Sequence, residues 1–133
     1  MNSGPEEGGK RGLRMEPDAI RGIWIPVEAI LEGKKLPDEG LEGMVLTIDR
    51  STYSVRTQSG LDKGTVALDS GAYPLGMELT GTEGPNQGRT LKAIYEIAGD
   101  WMRVCYAIDG LARPARFEAG EGERSFLVTY RRT

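Results

Sequence analysis

A chain of 133 residues suits one domain around one core. Its net charge of −3 offers no basic field to a phosphate backbone, which argues against nucleic-acid binding. The absence of histidine removes Ser-His and Cys-His catalysis, histidine-ligated haem and the usual histidine-containing zinc sites.

Cys105 is the single cysteine, so no intrachain disulfide forms and the fold rests on its own core. The 19 glycines and 7 prolines imply many short elements joined by turns, an all-β pattern. No apolar run approaches the length of a membrane-spanning helix. The opening "MNSGPEEGGKRGLRMEP" is polar and glycine-rich, without the n-region and h-region of a signal peptide. Residues 1–18 are therefore expected to be a flexible leader or upstream linker, residues 19–133 the folded domain, and the location cytoplasmic by default.

The first strand is expected over Gly22 to Leu31, with an edge, bend or bulge at Pro26, which has no N–H to donate to a ladder. Glu32-Gly33-Lys34 reads as a turn, and "PDEGLEG" as at most one short helical turn opened by Pro37. In "MVLTID", Met44, Leu46 and Ile48 alternate with more polar residues. "TYSVRTQ" returns, and a two-residue turn at Arg50-Ser51 would pair Ile48 with Tyr53 and Leu46 with Val55. Arg-Ser is a poor tight turn, so a longer loop is the competing reading.

"KGTVALD" and "LGMELTG" form the next pair of strands, and "TEGPNQGRT" is a turn. "TLKAIYEI" and "WMRVCYAI" form a hairpin about Gly99-Asp100, pairing Ile97 with Met102 and Tyr95 with Val104. Its inward set is Leu91, Ala93, Tyr95, Ile97, Met102, Val104 and Tyr106, with Lys92, Glu96, Trp101 and Arg103 outward. After a long 109–125 connection, "FLVTYRR" closes the chain. Eight sequential antiparallel strands predict an up-and-down barrel, with a two-sheet sandwich as the alternative.

Gly22-Ile23-Trp24 on the first strand and Arg132 on the last resemble the calycin pattern of lipocalins. There a first-strand tryptophan closes one barrel end and a late arginine packs across its face. The ordered run of "GIW", "EGKKLP", "LTID", "KGT", "TEGPNQG", "AIYEI", "VCYA", "RPARF" and a terminal arginine looks like a lipocalin-like bacterial domain family, of unknown function and abundant in planctomycetes and related bacteria. The resemblance spans about residues 20–132 and implies a lipocalin-like barrel; fold alone implies no activity. Pro26, where a strand former is usual, and an outward Trp101 depart from the pattern.

Trp24 and Arg132 either line a cavity or plug a barrel end, and plugging explains both positions without a ligand. Glu28 shares parity with Trp24, so it either points inward as a ligand anchor or general base, or is left in solvent because Pro26 or a bulge shifts the register; the second is the favoured reading, since a buried carboxylate needs a partner. Tyr53, Met77, Tyr95, Tyr106 and Tyr130 either line a pocket for a small apolar molecule or simply fill the barrel. Cys105 is expected near the outer face and inert. An outward Trp101 beside Arg103 marks a protein contact, unless the 109–125 connection folds over it.

These residues show no nucleophile constellation, no paired-carboxylate spacing, no calcium loop and no phosphate loop. The expectation is a non-enzymatic binding domain without metal or cofactor, holding a small apolar ligand. The alternative is a filled barrel that contacts another protein.

Overall fold

A computed structural model describes residues 17–108 and 112–133. The expected leader lies outside these, apart from Pro17 and Asp18, which open a 3₁₀ turn, Pro17–Ile20. The expected 109–125 connection is described from residue 112 onward.

The strands are β1 (Gly22–Leu31), β2 (Lys34–Lys35), β3 (Val45–Asp49), β4 (Thr52–Thr57), β5 (Gly60–Asp69), β6 (Gly76–Glu83), β7 (Thr90–Ala98), β8 (Trp101–Ala107) and β9 (Ser125–Arg132). One short helix, α1 (Asp38–Leu41), follows Pro37. β2 is a two-residue return of β1. The other eight strands pair antiparallel in chain order, and β1 pairs with β9 to close them into a barrel. Among the described strands, closure leaves only the two-residue β2 at an edge.

The alternation that marks each strand also sets its pairing. Leu46 faces Val55 and Ile48 faces Tyr53 across β3–β4. Tyr95 faces Val104 and Ile97 faces Met102 across β7–β8. The β3–β4 loop keeps its two residues although Arg-Ser suits a tight turn poorly, because Arg50 takes the left-handed backbone region at φ 58°. At the corresponding turn of β7–β8 a glycine, Gly99, supplies φ 62°.

One register departs from simple alternation. Between β1 and β9, Pro26 pairs with Tyr130 but Glu28 pairs with Thr129, so Val27 is an extra residue. The bulge lies beside the proline, where β1 also stops pairing with β3: that ladder covers Gly22–Trp24 alone. It reverses parity along β1. Trp24 and Pro26 are buried, Val27 is exposed, and Ala29 rather than Glu28 reaches the core.

The core runs through the barrel interior, with Trp24, Ile48, Tyr95, Met77 and Val104 among its fully covered members. A second layer forms outside. Segment 112–124 lies as a strap over the outer face of β6–β8. Arg113 pairs with Asp69 and Glu78 at 3.2 and 3.6 Å, and Phe117 lies 4.7 Å from the Arg103 guanidinium. The Glu118 carbonyl accepts from the Cys105 thiol at 3.4 Å. Ile94 and Cys105, both at outward positions, are thereby buried at 1% and 0% exposure.

Candidate functional site

The two barrel ends differ. At one, the Trp24 ring is fully buried and its Nε1 donates to the Ile20 carbonyl at 2.9 Å, tying the 3₁₀ turn across the opening. The Arg132 guanidinium sits 4.2 Å from the Trp24 ring centroid. It also donates to the carbonyls of Arg21 and Ala19 and lies 3.8 Å from Asp100. Trp24 and Arg132 therefore form a plug, built from a ring, a flat cation and backbone acceptors.

Toward the other end the inward side chains lose burial. On β4 the change is from Tyr53 to Val55, on β8 from Val104 to Tyr106, and on β9 from Val128 to Phe126. Leu91 occupies the same end of β7 and is also half-buried. The Tyr106 and Tyr130 hydroxyls meet at 2.8 Å, and the Tyr106 and Phe126 rings lie 6.1 Å apart. The barrel thus has one end closed by the Trp24–Arg132 plug, although Leu68 and Ile97 toward it are also half-buried, and one end rimmed by half-exposed Val55, Leu91, Tyr106 and Phe126.

Of the residues expected to line an interior site, Tyr53, Met77, Tyr95 and Tyr130 join one buried cluster, and Tyr106 packs against it. Glu28 does not join them. Its inward, ligand-anchor alternative does not hold: the expected shift at Pro26 occurs as the Val27 bulge, and Glu28 is half-exposed and paired with Lys35 at 3.5 Å. A carboxylate in the apolar interior would lose its hydration without a partner; on the outside it has both water and Lys35.

Burial raises all four interior phenols. Tyr53 is pushed up to about 12 by burial, with the Asp62 charge and hydrogen bond adding to it. Tyr130 is pushed up to about 12 by burial. Burial also raises Tyr95, and it lifts Tyr106 well above the ordinary range, helped by its neighbour Tyr130. These hydroxyls stay protonated at neutral pH; Tyr53 donates to Asp62, and Tyr106 and Tyr130 share one bond.

Asp62 was not among the expected site residues. It holds an inward position on β5, two and four residues before the buried Gly64 and Val66. Tyr53 donates to its carboxylate at 3.5 Å. Asn86, from the β6–β7 loop, donates through its backbone N at 3.2 Å and its side-chain nitrogen at 3.0 Å. Gly64 makes room for this arrangement: a Cβ there would come within 2.6 Å of the Tyr53 ring. Counting back in twos from Val66 identifies Asp62 as inward. Its partner Asn86 is 24 residues away and carries no local signal.

Four clefts among the described residues have volumes of 640, 370, 440 and 310 Å³, and none of the four is lined by Met77, Tyr95, Tyr106 or Tyr130. The 640 Å³ cleft opens where β1 leaves β3, between Ile25–Val27, α1 and Met44.

Cys105 is on the outer side as expected, but under the strap. Burial pushes its thiol up, against the opposing hydrogen bond to Glu118, which keeps it un-ionised and unreactive. The strap does not reach Trp101, which remains 47% exposed with the Arg131 guanidinium 5.8 Å from its ring. No protein-family model, curated protein or solved structure matches this chain.

Proposed function

We propose that this chain is a non-enzymatic, lipocalin-like binding domain that takes a small apolar molecule through the barrel end opposite Trp24 and Arg132. One observation carries the reading: opposite the Trp24–Arg132 plug the inward Val55, Leu91, Tyr106 and Phe126 are half-exposed, and the Tyr106–Tyr130 hydroxyl pair offers a polar contact among these apolar walls. Apolar walls with a few hydrogen-bonding groups suit a ligand held mainly by burial. The protonated phenols and the absence of histidine favour binding over acid–base chemistry.

A thermal-shift screen of the purified chain against fatty acids, retinoids, tetrapyrroles and small aromatics tests this. A binding domain gains about 2.7 kcal/mol when a ligand reaches 100 times its Kd, so at least one class should raise Tm with dose. The Tyr106→Ala variant should lose that response. A silent panel would reject the reading.

A second reading has its own support. Ile25, Arg131 and Trp101 lie side by side on adjacent strands of the outer face. Trp101, Ile23 and Val27 are 47%, 46% and 42% exposed. Tryptophan, arginine and aliphatic side chains together suit a protein contact. Under this reading Trp101→Ala abolishes partner capture and leaves the barrel stable.

A further inference from the structure

Two charged side chains hold inward positions on the described barrel strands, and they are differently placed. Arg132 is committed to the plug: it covers the Trp24 ring and donates to two backbone carbonyls. Asp62 lies on the β5 wall toward the unsealed end. Its carboxylate receives the Asn86 backbone and side-chain nitrogens and the Tyr53 hydroxyl, all neutral donors. Among the described residues no cation pairs with it.

The surroundings are aromatic. The Tyr53 ring lies along β5, and Tyr53 is near enough to Tyr106 to bear on that phenol. Tyr106 in turn meets Tyr130 and packs near Phe126. The Tyr106–Tyr130 pair has two O–H groups and spends one on the mutual bond. Ring faces and a carboxylate both attract positive charge, and partial removal from water strengthens both. An anion entering here would meet Asp62 with no cation to balance it. Resting on the binding reading above, we propose that the ligand is an organic cation, an apolar body with one ammonium group that pairs with Asp62.

Two matched series test this on the full chain by titration calorimetry: phenethylamine, phenethyl alcohol and phenylacetate, then decylamine, decanol and decanoate. In the series that fits the barrel, the amine should bind at least about tenfold tighter than the alcohol, and the acid weakest. Asp62→Asn keeps an oxygen acceptor but removes the charge. It should weaken the amine about tenfold and leave the alcohol unchanged. Raising salt from about 20 to about 500 mM should weaken the amine alone, a readout that needs no variant to fold.

An alcohol or acid that binds as tightly as its amine, or an amine indifferent to both salt and Asp62→Asn, overturns the cation proposal and leaves the binding reading intact. Silence from every compound here and in the thermal-shift panel removes both.

Discussion

Trp24 shows how one side chain can hold a barrel end. Its ring is fully covered, its indole N–H is spent on the Ile20 carbonyl, and Arg132 covers its face. Replacing it leaves a void and strands a guanidinium over empty space. Trp24→Ala should cost about 3–5 kcal/mol in urea denaturation. Wild-type stability in that variant would remove the plug from the account. Both partners of the plug were expected from the resemblance of Gly22-Ile23-Trp24 and Arg132 to a known barrel pattern; alternation alone does not bring positions 24 and 132 together. For Glu28 the sequence offered both facings, because alternation from Trp24 puts it inside and a bulge at Pro26 turns it out. Asp62 was passed over although its parity was countable, since its partners Tyr53 and Asn86 come from other elements.

At the level of elements, alternation and turn chemistry carried most of the information. The β3–β4 and β7–β8 registers follow from which apolar residues must face one another across a two-residue turn. The Arg50 backbone carries the strain of that arrangement at φ 58°. Arg50→Gly relieves it and should add about 1 kcal/mol of stability, measured by denaturant midpoint with an unchanged m-value.

The β1 bulge makes the opposite kind of prediction. Val27 is 42% exposed, so its side chain contributes little to the core, and as the extra residue of the bulge it puts Glu28 and Ala29 out of step with a count from Trp24. Deleting Val27 would make Pro26–Tyr130 and Glu28–Thr129 consecutive rungs of an unbulged ladder, with Glu28 still outward and Ala29 still inward, so the barrel should still fold and lose no more than about 1 kcal/mol in urea denaturation. Val27→Ser should stay within about 0.5 kcal/mol of wild type. A deletion that costs about 3 kcal/mol or more would mean that β1 needs the bulge itself and not only the pairing on either side of it.

For the whole molecule, burial of four tyrosines inside one barrel links folding to alkaline pH. Tyr53 and Tyr130 ionise near 12 in the folded chain against an ordinary value of 10. A raised phenol contributes stability that is fully present below pH 10 and is lost as pH rises toward 12, because the unfolded chain releases the proton first. Denaturation midpoints should therefore be flat with respect to these phenols from neutral pH to about 9.5 and fall from about 10 to 12. Tyrosinate absorbance from the buried rings should appear together with loss of the barrel's circular dichroism. Early ionisation of all five tyrosines with the fold intact would contradict the buried cluster.

Strand identity, strand facing away from the β1 bulge and two hairpin registers were determined by the sequence itself, because each depends on residues a few positions apart and on the two-residue period of a pleated strand. Tertiary structure decided the rest through contacts between distant residues. Arg132 reaches back to the carbonyl of Arg21, 111 positions earlier, to seal one end. Arg113 crosses 44 positions to Asp69 and anchors the strap over Ile94 and Cys105. Asn86 crosses 24 to reach Asp62 at the unsealed end. Alternation states which way a side chain points. Whether it then meets water, a strap or a phenol is settled only when the barrel closes and brings remote segments together.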